Sequence, residues 1–120
     1  MKRITIEDFE KVEMRVGQII AVQDFPKARK PSYRLTIDFG PYGIKRSSAA
    51  LRSDYTPAEL LGRQIVAVTN FPPRQIADFM SEVLVLGVIE HSGTPAQAKG
   101  GGRIVLLQPD KEAELGARIG

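Results

Sequence analysis

The segment Thr56-Pro57-Ala58-Glu59-Leu60-Leu61-Gly62 reads as a helix of one to two turns in a chain otherwise written in strands. Thr56 offers an N-cap hydroxyl, Pro57 the fixed φ of a first helical position, and Glu59 the returning half of a capping box. Gly62 supplies the left-handed stop. The position of this helix constrains the fold most, because it separates three strand-like segments from two later ones. Met14 to Gln23 is a long first strand, and its internal Gly17 predicts a bulge or sharp bend. Phe25 to Ser32 is a loop bracketed by Pro26 and Pro31. Tyr33 to Phe39 alternates, with Tyr33, Leu35, Ile37 and Phe39 on one face and Arg34, Thr36 and Asp38 on the other. Gly40-Pro41-Tyr42-Gly43 is turn chemistry, and Ile44 to Ala50 is a third strand. Past the helix, Gln64 to Thr69 and Glu82 to Ile89 form strands four and five.

Strand, strand, strand, helix, strand, strand predicts an all-β fold, a five-stranded Greek-key OB barrel with short helices and terminal extensions. An immunoglobulin-like sandwich would lack the helix and need more strands. Eight prolines and eleven glycines suit so many turns. A length of 120 residues implies one domain, with the barrel core at about 13–89 and extensions at 1–12 and 90–120. Thr5 and Asp8 mark a weaker capping box for a short helix from Ile6 to Val12. Beyond the barrel, His91 to Gly102 is Gly/Ala-rich and expected to be mobile; no role is assigned to its Lys99–Gly102 glycine run. Arg103 to Leu107 is a further strand, and Glu112 to Gly116 a turn of helix. The extensions carry apolar surface that a closed barrel does not need. They cover their own barrel or that of a second copy, and a homodimer is expected.

The same residues exclude several functions. Cysteine is absent, which removes disulfides and thiolate chemistry. His91 is the sole histidine, with no carboxylate pair at ligand spacing around it, so no metal site is expected. Ser47 and Ser48 lack a base to activate a nucleophile and read as hydrogen-bonding strand residues. The chain is expected to be a binding protein without cofactor, not an enzyme. Its longest apolar run, Val83 to Ile89, falls far short of the ~20 residues of a spanning helix. The basic amino terminus has no apolar stretch behind it, so a secretory signal is not expected there. No membrane insertion and a cytoplasmic location are expected.

In an OB barrel, the loops after strands one and four flank the binding face. Here the first carries Lys27, Arg29 and Lys30, and the second carries Phe71, Arg74 and Phe79. Arg34, Lys45 and Arg46 on adjoining strands extend the set. Cations track phosphates and rings stack on bases, so RNA contact is one reading; a solvated basic face is the other. The net charge of +3 does not decide between them. Phe71, Phe79 and Met80, beside Pro72 and Pro73, have three readings: packing, base stacking, or an apolar groove for an extended peptide. Asp38 reads as a structural ion pair with Arg34 or Arg46. Arg15 reads as a partner contact or a salt bridge to Glu13 or Asp38.

Six segments, in order, resemble the tRNA-binding-domain family. They are Met14-Arg15-Val16-Gly17-Gln18-Ile19, Phe25-Pro26-Lys27-Ala28-Arg29, Leu35-Thr36-Ile37-Asp38-Phe39-Gly40, Ile44-Lys45-Arg46-Ser47-Ser48-Ala49, Asn70-Phe71-Pro72-Pro73-Arg74 and Ser81-Glu82-Val83-Leu84-Val85-Leu86-Gly87. The resemblance implies an OB fold, a homodimer formed through the terminal extensions, and tRNA binding. Where the family usually has Ser-Glu-Gly-Met, this chain has Ser81, Glu82, Val83 and Leu84. By resemblance Ser81 is carried over as an RNA contact, and the methionine role is not. The altered motif is similar to that of small bacterial members described as protein-export chaperones, which implies unfolded export preproteins as further partners.

Overall fold

A computed structural model describes residues 1–91 and 102–120. The Gly/Ala-rich connection lies, except for its end residues His91 and Gly102, outside them. The chain opens with helix α1 (Ile6–Glu10), whose Thr5 cap and Asp8 carboxylate close the expected box. It ends earlier than the sequence suggests because the Asn70 amide takes over, donating to the Lys11 carbonyl and accepting from the Glu13 N–H. Strands β1 (Met14–Asp24), β2 (Tyr33–Asp38) and β3 (Ile44–Ala49) follow, with a 3₁₀ turn at Gly40–Tyr42. Helix α2 (Pro57–Leu60) sits where its capping box places it, before β4 (Gln64–Val68).

The chain then departs from expectation. Instead of a plain loop, β5 (Arg74–Ile76) and β6 (Phe79–Ser81) form a separate hairpin. Instead of one fifth strand there are two pieces, β7 (Leu84–Val85) and β8 (Gly87–Glu90). β7 stays with β4, while β8 leaves the sheet to pair with β9 (Arg103–Leu106). Leu86 is the crossing point, donating to Val66 and accepting from Leu107. All pairings are antiparallel, and the main sheet runs β3-β2-β1-β4-β7. It curls into a nearly closed five-stranded OB-type barrel.

The core follows the alternation read from β2. Tyr33, Leu35, Ile37 and Phe39 are buried with Ile19, Leu51, Leu60, Ile65, Ala67 and Val83. Gly17 faces this core from β1. A Cβ there would stand 2.6 Å from the Ile37 side chain and 2.7 Å from the Phe39 ring. The glycine therefore marks a close approach, not the expected bulge; the register slips further along, between Ile19 and Ala21.

The carboxyl-terminal extension covers its own barrel. Leu106 belongs to the core cluster and Ile104 packs against it. Residues Glu112 to Gly116 are not helical. The Gln64 amide holds Ala113 at both its N–H and its carbonyl. Gly116 then turns at φ 88°, and the chain runs beside β1, exchanging backbone bonds with Val16 and Met14. A lone helical turn fixes several residues for little hydrogen bonding. The extended path instead fills the open edge of β1 and satisfies groups that would otherwise lack partners. Arg15 clamps this path, donating to Glu13 and to the Gly116 carbonyl and lying 3.7 Å over the Tyr42 ring. Its salt bridge is thus to Glu13. Asp38 forms no ion pair with Arg34 or Arg46; its carboxylate accepts from the Gly40 N–H and caps the turn.

Candidate nucleic-acid interface

The register of β2 and β3 sets the outer face of the barrel here. Ser47 pairs with Leu35 and points inward, fully buried, its hydroxyl donating to the Val83 carbonyl. Arg46 and Ser48 therefore point outward, opposite Thr36 and Arg34. Lys45 shares the inward face with Ser47, at the Ile37 end, so alternation separates it from Arg34 and Arg46.

Two loops close over this outer face. Phe25, at the start of the β1–β2 loop, and Phe79, in the β5–β6 hairpin, are both buried and meet edge to face with centroids 5.4 Å apart. Each ring lies under an arginine: Arg34 stands 5.3 Å over Phe25, and Arg46 4.4 Å over Phe79. At the hairpin tip, Lys27 donates to Asp78 over 3.0 Å, joining the loops a second time. That bond is the leading cause that holds the Asp78 carboxyl below its ordinary value. Arg34 also donates to the Asp24 carbonyl, and Asp24 pairs at 3.5 Å with Arg52. Arg52 is a further cation that the sequence reading missed. It follows β3, and its backbone N–H is fixed to Pro31 in the first loop.

Lys27, Arg34 and Arg46 are therefore brought together, with Arg52 beside them. Arg29 and Lys30 are exposed on the same first loop. Arg74 is exposed at the base of the hairpin, paired with Ser81. Among the described residues, none of Arg29, Lys30 and Arg74 makes an ion pair. The three apolar candidates separate. Phe79 packs inward, whereas Phe71 and Met80 are about half exposed, at 51% and 48%.

Ser81 sits on a seam. Its hydroxyl accepts from the Ser48 N–H at 3.0 Å. Next to it, Glu82 accepts from the Arg46 N–H through its carboxylate and donates its own N–H to the Arg46 carbonyl. With the bond from Ser47 to Val83, these contacts close the barrel between β3 and the segment leading into β7. The seam is invisible to periodicity, because three of these four bonds use a side chain.

A small antiparallel barrel with loops of cations over its β2–β3 face defines an OB-fold binding module. Residues 14–118 match the family model described as "Putative tRNA binding domain", and the chain belongs to that family. It is 44% identical to the chaperone CsaA of Bacillus anthracis, a solved structure with a TM-score of 0.84, covering 99% of this chain and 100% of that one. The CsaA chaperone protein of Picrophilus torridus is 46% identical, also at a TM-score of 0.84, over 98% of this chain and all of that one. The chain is also 35% identical to the methionine–tRNA ligase of Pyrococcus furiosus, over 99% of its own length. It spans only 15% of that relative, so the match is to one appended domain.

Proposed function

We propose that this protein binds tRNA through a cationic platform made of the β1–β2 loop, the outer face of β2–β3 and the β5–β6 hairpin. The observation that carries this reading is the double joint between the loops, Phe25 on Phe79 and Lys27 on Asp78. It joins the loops around Lys27, Arg34 and Arg46, with Arg52 beside them, and on this reading the exposed Arg29, Lys30 and Arg74 extend the same platform. Because the Phe79 ring is buried, the platform offers charge at a position where the sequence suggested stacking. Four to six neutralised phosphates would give a slope of log K against log salt of about −3 to −5. The role is binding and not catalysis, exercised in the cytoplasm.

The test is a titration of isotope-labelled protein with unlabelled tRNA. Amide shifts concentrated in 24–34, 44–48 and 74–82 support the platform. Shifts centred on α1 and the carboxyl terminus would refute it.

A second reading rests on the exposed Phe71 and Met80 and on the likeness to CsaA, named a chaperone. These side chains would hold extended apolar segments of unfolded export preproteins. A homodimer would bury the exposed Ile4 and Ile6 of the amino-terminal extension. Peptide binding through apolar burial carries a weak salt slope and a negative heat-capacity change, which calorimetry separates from tRNA binding.

A further inference from the structure

The geometry points to Glu82, supported by Ser81, as a positioning residue that sets Arg46 for nucleic-acid contact; this rests on the platform reading above. Arg46 sits on β3, the last strand in the ladder order of the main sheet, whose outer edge faces β6 and β7 without a regular ladder. Such an edge residue would ordinarily have a loosely held backbone. Here both of its main-chain groups are taken by one residue: the Arg46 N–H by the Glu82 carboxylate at 3.0 Å, and the Arg46 carbonyl by the Glu82 N–H at 2.8 Å. The neighbouring Ser48 N–H is held by Ser81 in the same way. Two residues before Ser81, Phe79 lies beneath the Arg46 guanidinium.

A four-residue stretch from Phe79 to Glu82 thus grips Arg46 at its amide, its carbonyl and its side chain. A guanidinium held against a ring has lost much of the freedom that phosphate binding would otherwise have to remove. The acidic side chain of Glu82 is otherwise misplaced. A carboxylate beside a phosphate-binding face repels the ligand, and its occupation by the Arg46 amide explains its presence. The same bonds give Ser81 a backbone partner, so its hydroxyl acts on the platform through Ser48.

The test is a double-mutant cycle on tRNA affinity, measured across salt concentrations, with thermal unfolding run in parallel. Arg46→Ala weakens binding by about tenfold and makes the salt slope shallower by about one. Glu82→Ala makes the slope shallower by a similar amount, and the Glu82→Ala/Arg46→Ala double variant binds within about twofold of Arg46→Ala alone. Glu82→Gln keeps an acceptor for the Arg46 N–H and binds at least as tightly as wild type. Additive losses with an unchanged slope for Glu82→Ala overturn the inference. So does a Glu82→Gln loss as large as that of Glu82→Ala, because the charge itself would then be the contact. If Glu82→Ala does not fold, Ser81→Ala, which removes one seam bond, replaces it in the cycle with the same expected non-additivity. An Arg46→Ala variant that binds like wild type refutes the platform itself, a result distinct from failure of the cycle.

Discussion

Single residues here do work that their chemical type does not announce. Gly17 is the clearest case. Its position in a strand suggests a bulge, but the Ile37 and Phe39 side chains occupy the space a Cβ would need. Gly17→Ala is expected to lower stability by about 1–3 kcal/mol, the ordinary cost of overpacking a dense core. Urea unfolding measures it, and a change below about 0.5 kcal/mol would contradict the close approach. Asp78 is a second case. Its carboxyl is held down by the hydrogen bond from Lys27, so the charged form is favoured in the folded protein. The stabilisation it gives is present above the ordinary carboxylate value of about 4 and is lost as pH falls through the depressed folded value. Carboxyl carbon shifts followed by NMR should show Asp78 titrating below that ordinary value, and Lys27→Met should return it toward normal. An Asp78 midpoint unaffected by that substitution would remove this joint between the loops.

At the scale of elements, local signals were legible wherever side chain and backbone agree. Both helices begin at their capping boxes, and β2 alternates as its sequence dictates. The β5–β6 hairpin was not legible, and its turn explains why. The two-residue connection places Ala77 at φ 53°, where glycine or asparagine is the usual marker. Nothing in Ile76-Ala77-Asp78-Phe79 advertises a reversal; burial of Phe79 against Phe25 and the Lys27 bond hold it instead. An alanine in this region costs about 1–2 kcal/mol, partly offset by the extra freedom glycine gives the unfolded chain. Ala77→Gly is therefore expected to stabilise the protein by up to about 1 kcal/mol. Ala77→Val, with a branched Cβ at positive φ, should destabilise it. A thermal-unfolding series that ranks valine above glycine would contradict the turn. The split of the fifth strand was hidden for a similar reason. Val83 to Ile89 is apolar throughout, so no pattern shows where β7 leaves the barrel and β8 joins β9. The extended carboxyl terminus was equally hidden, since its partners, Val16 and Met14, lie about 100 residues away along the chain.

For the whole molecule, the barrel brings residues that are distant in sequence onto one face. Lys27, Arg34, Arg46 and Arg52 belong to the first half of the chain, and Asp78 and Phe79 to a hairpin beyond α2. The sequence nominated most of these cations, because loop positions in an OB order are readable from strand order alone. It could not separate Lys45 from Arg46, which depends on strand phase, nor Phe79 from Met80, which depends on the unread hairpin. The central claim is that both loops serve a single phosphate-binding face. The most direct test is the salt dependence of tRNA affinity in the Arg29→Gln/Lys30→Gln/Arg74→Gln variant, three exposed cations without ion pairs among the described residues. A Lys2→Gln/Arg3→Gln/Lys111→Gln variant removes the same charge elsewhere. The platform predicts a slope shallower by about 2–3 in the first variant and a near-unchanged slope in the second. Equal effects from both would contradict it.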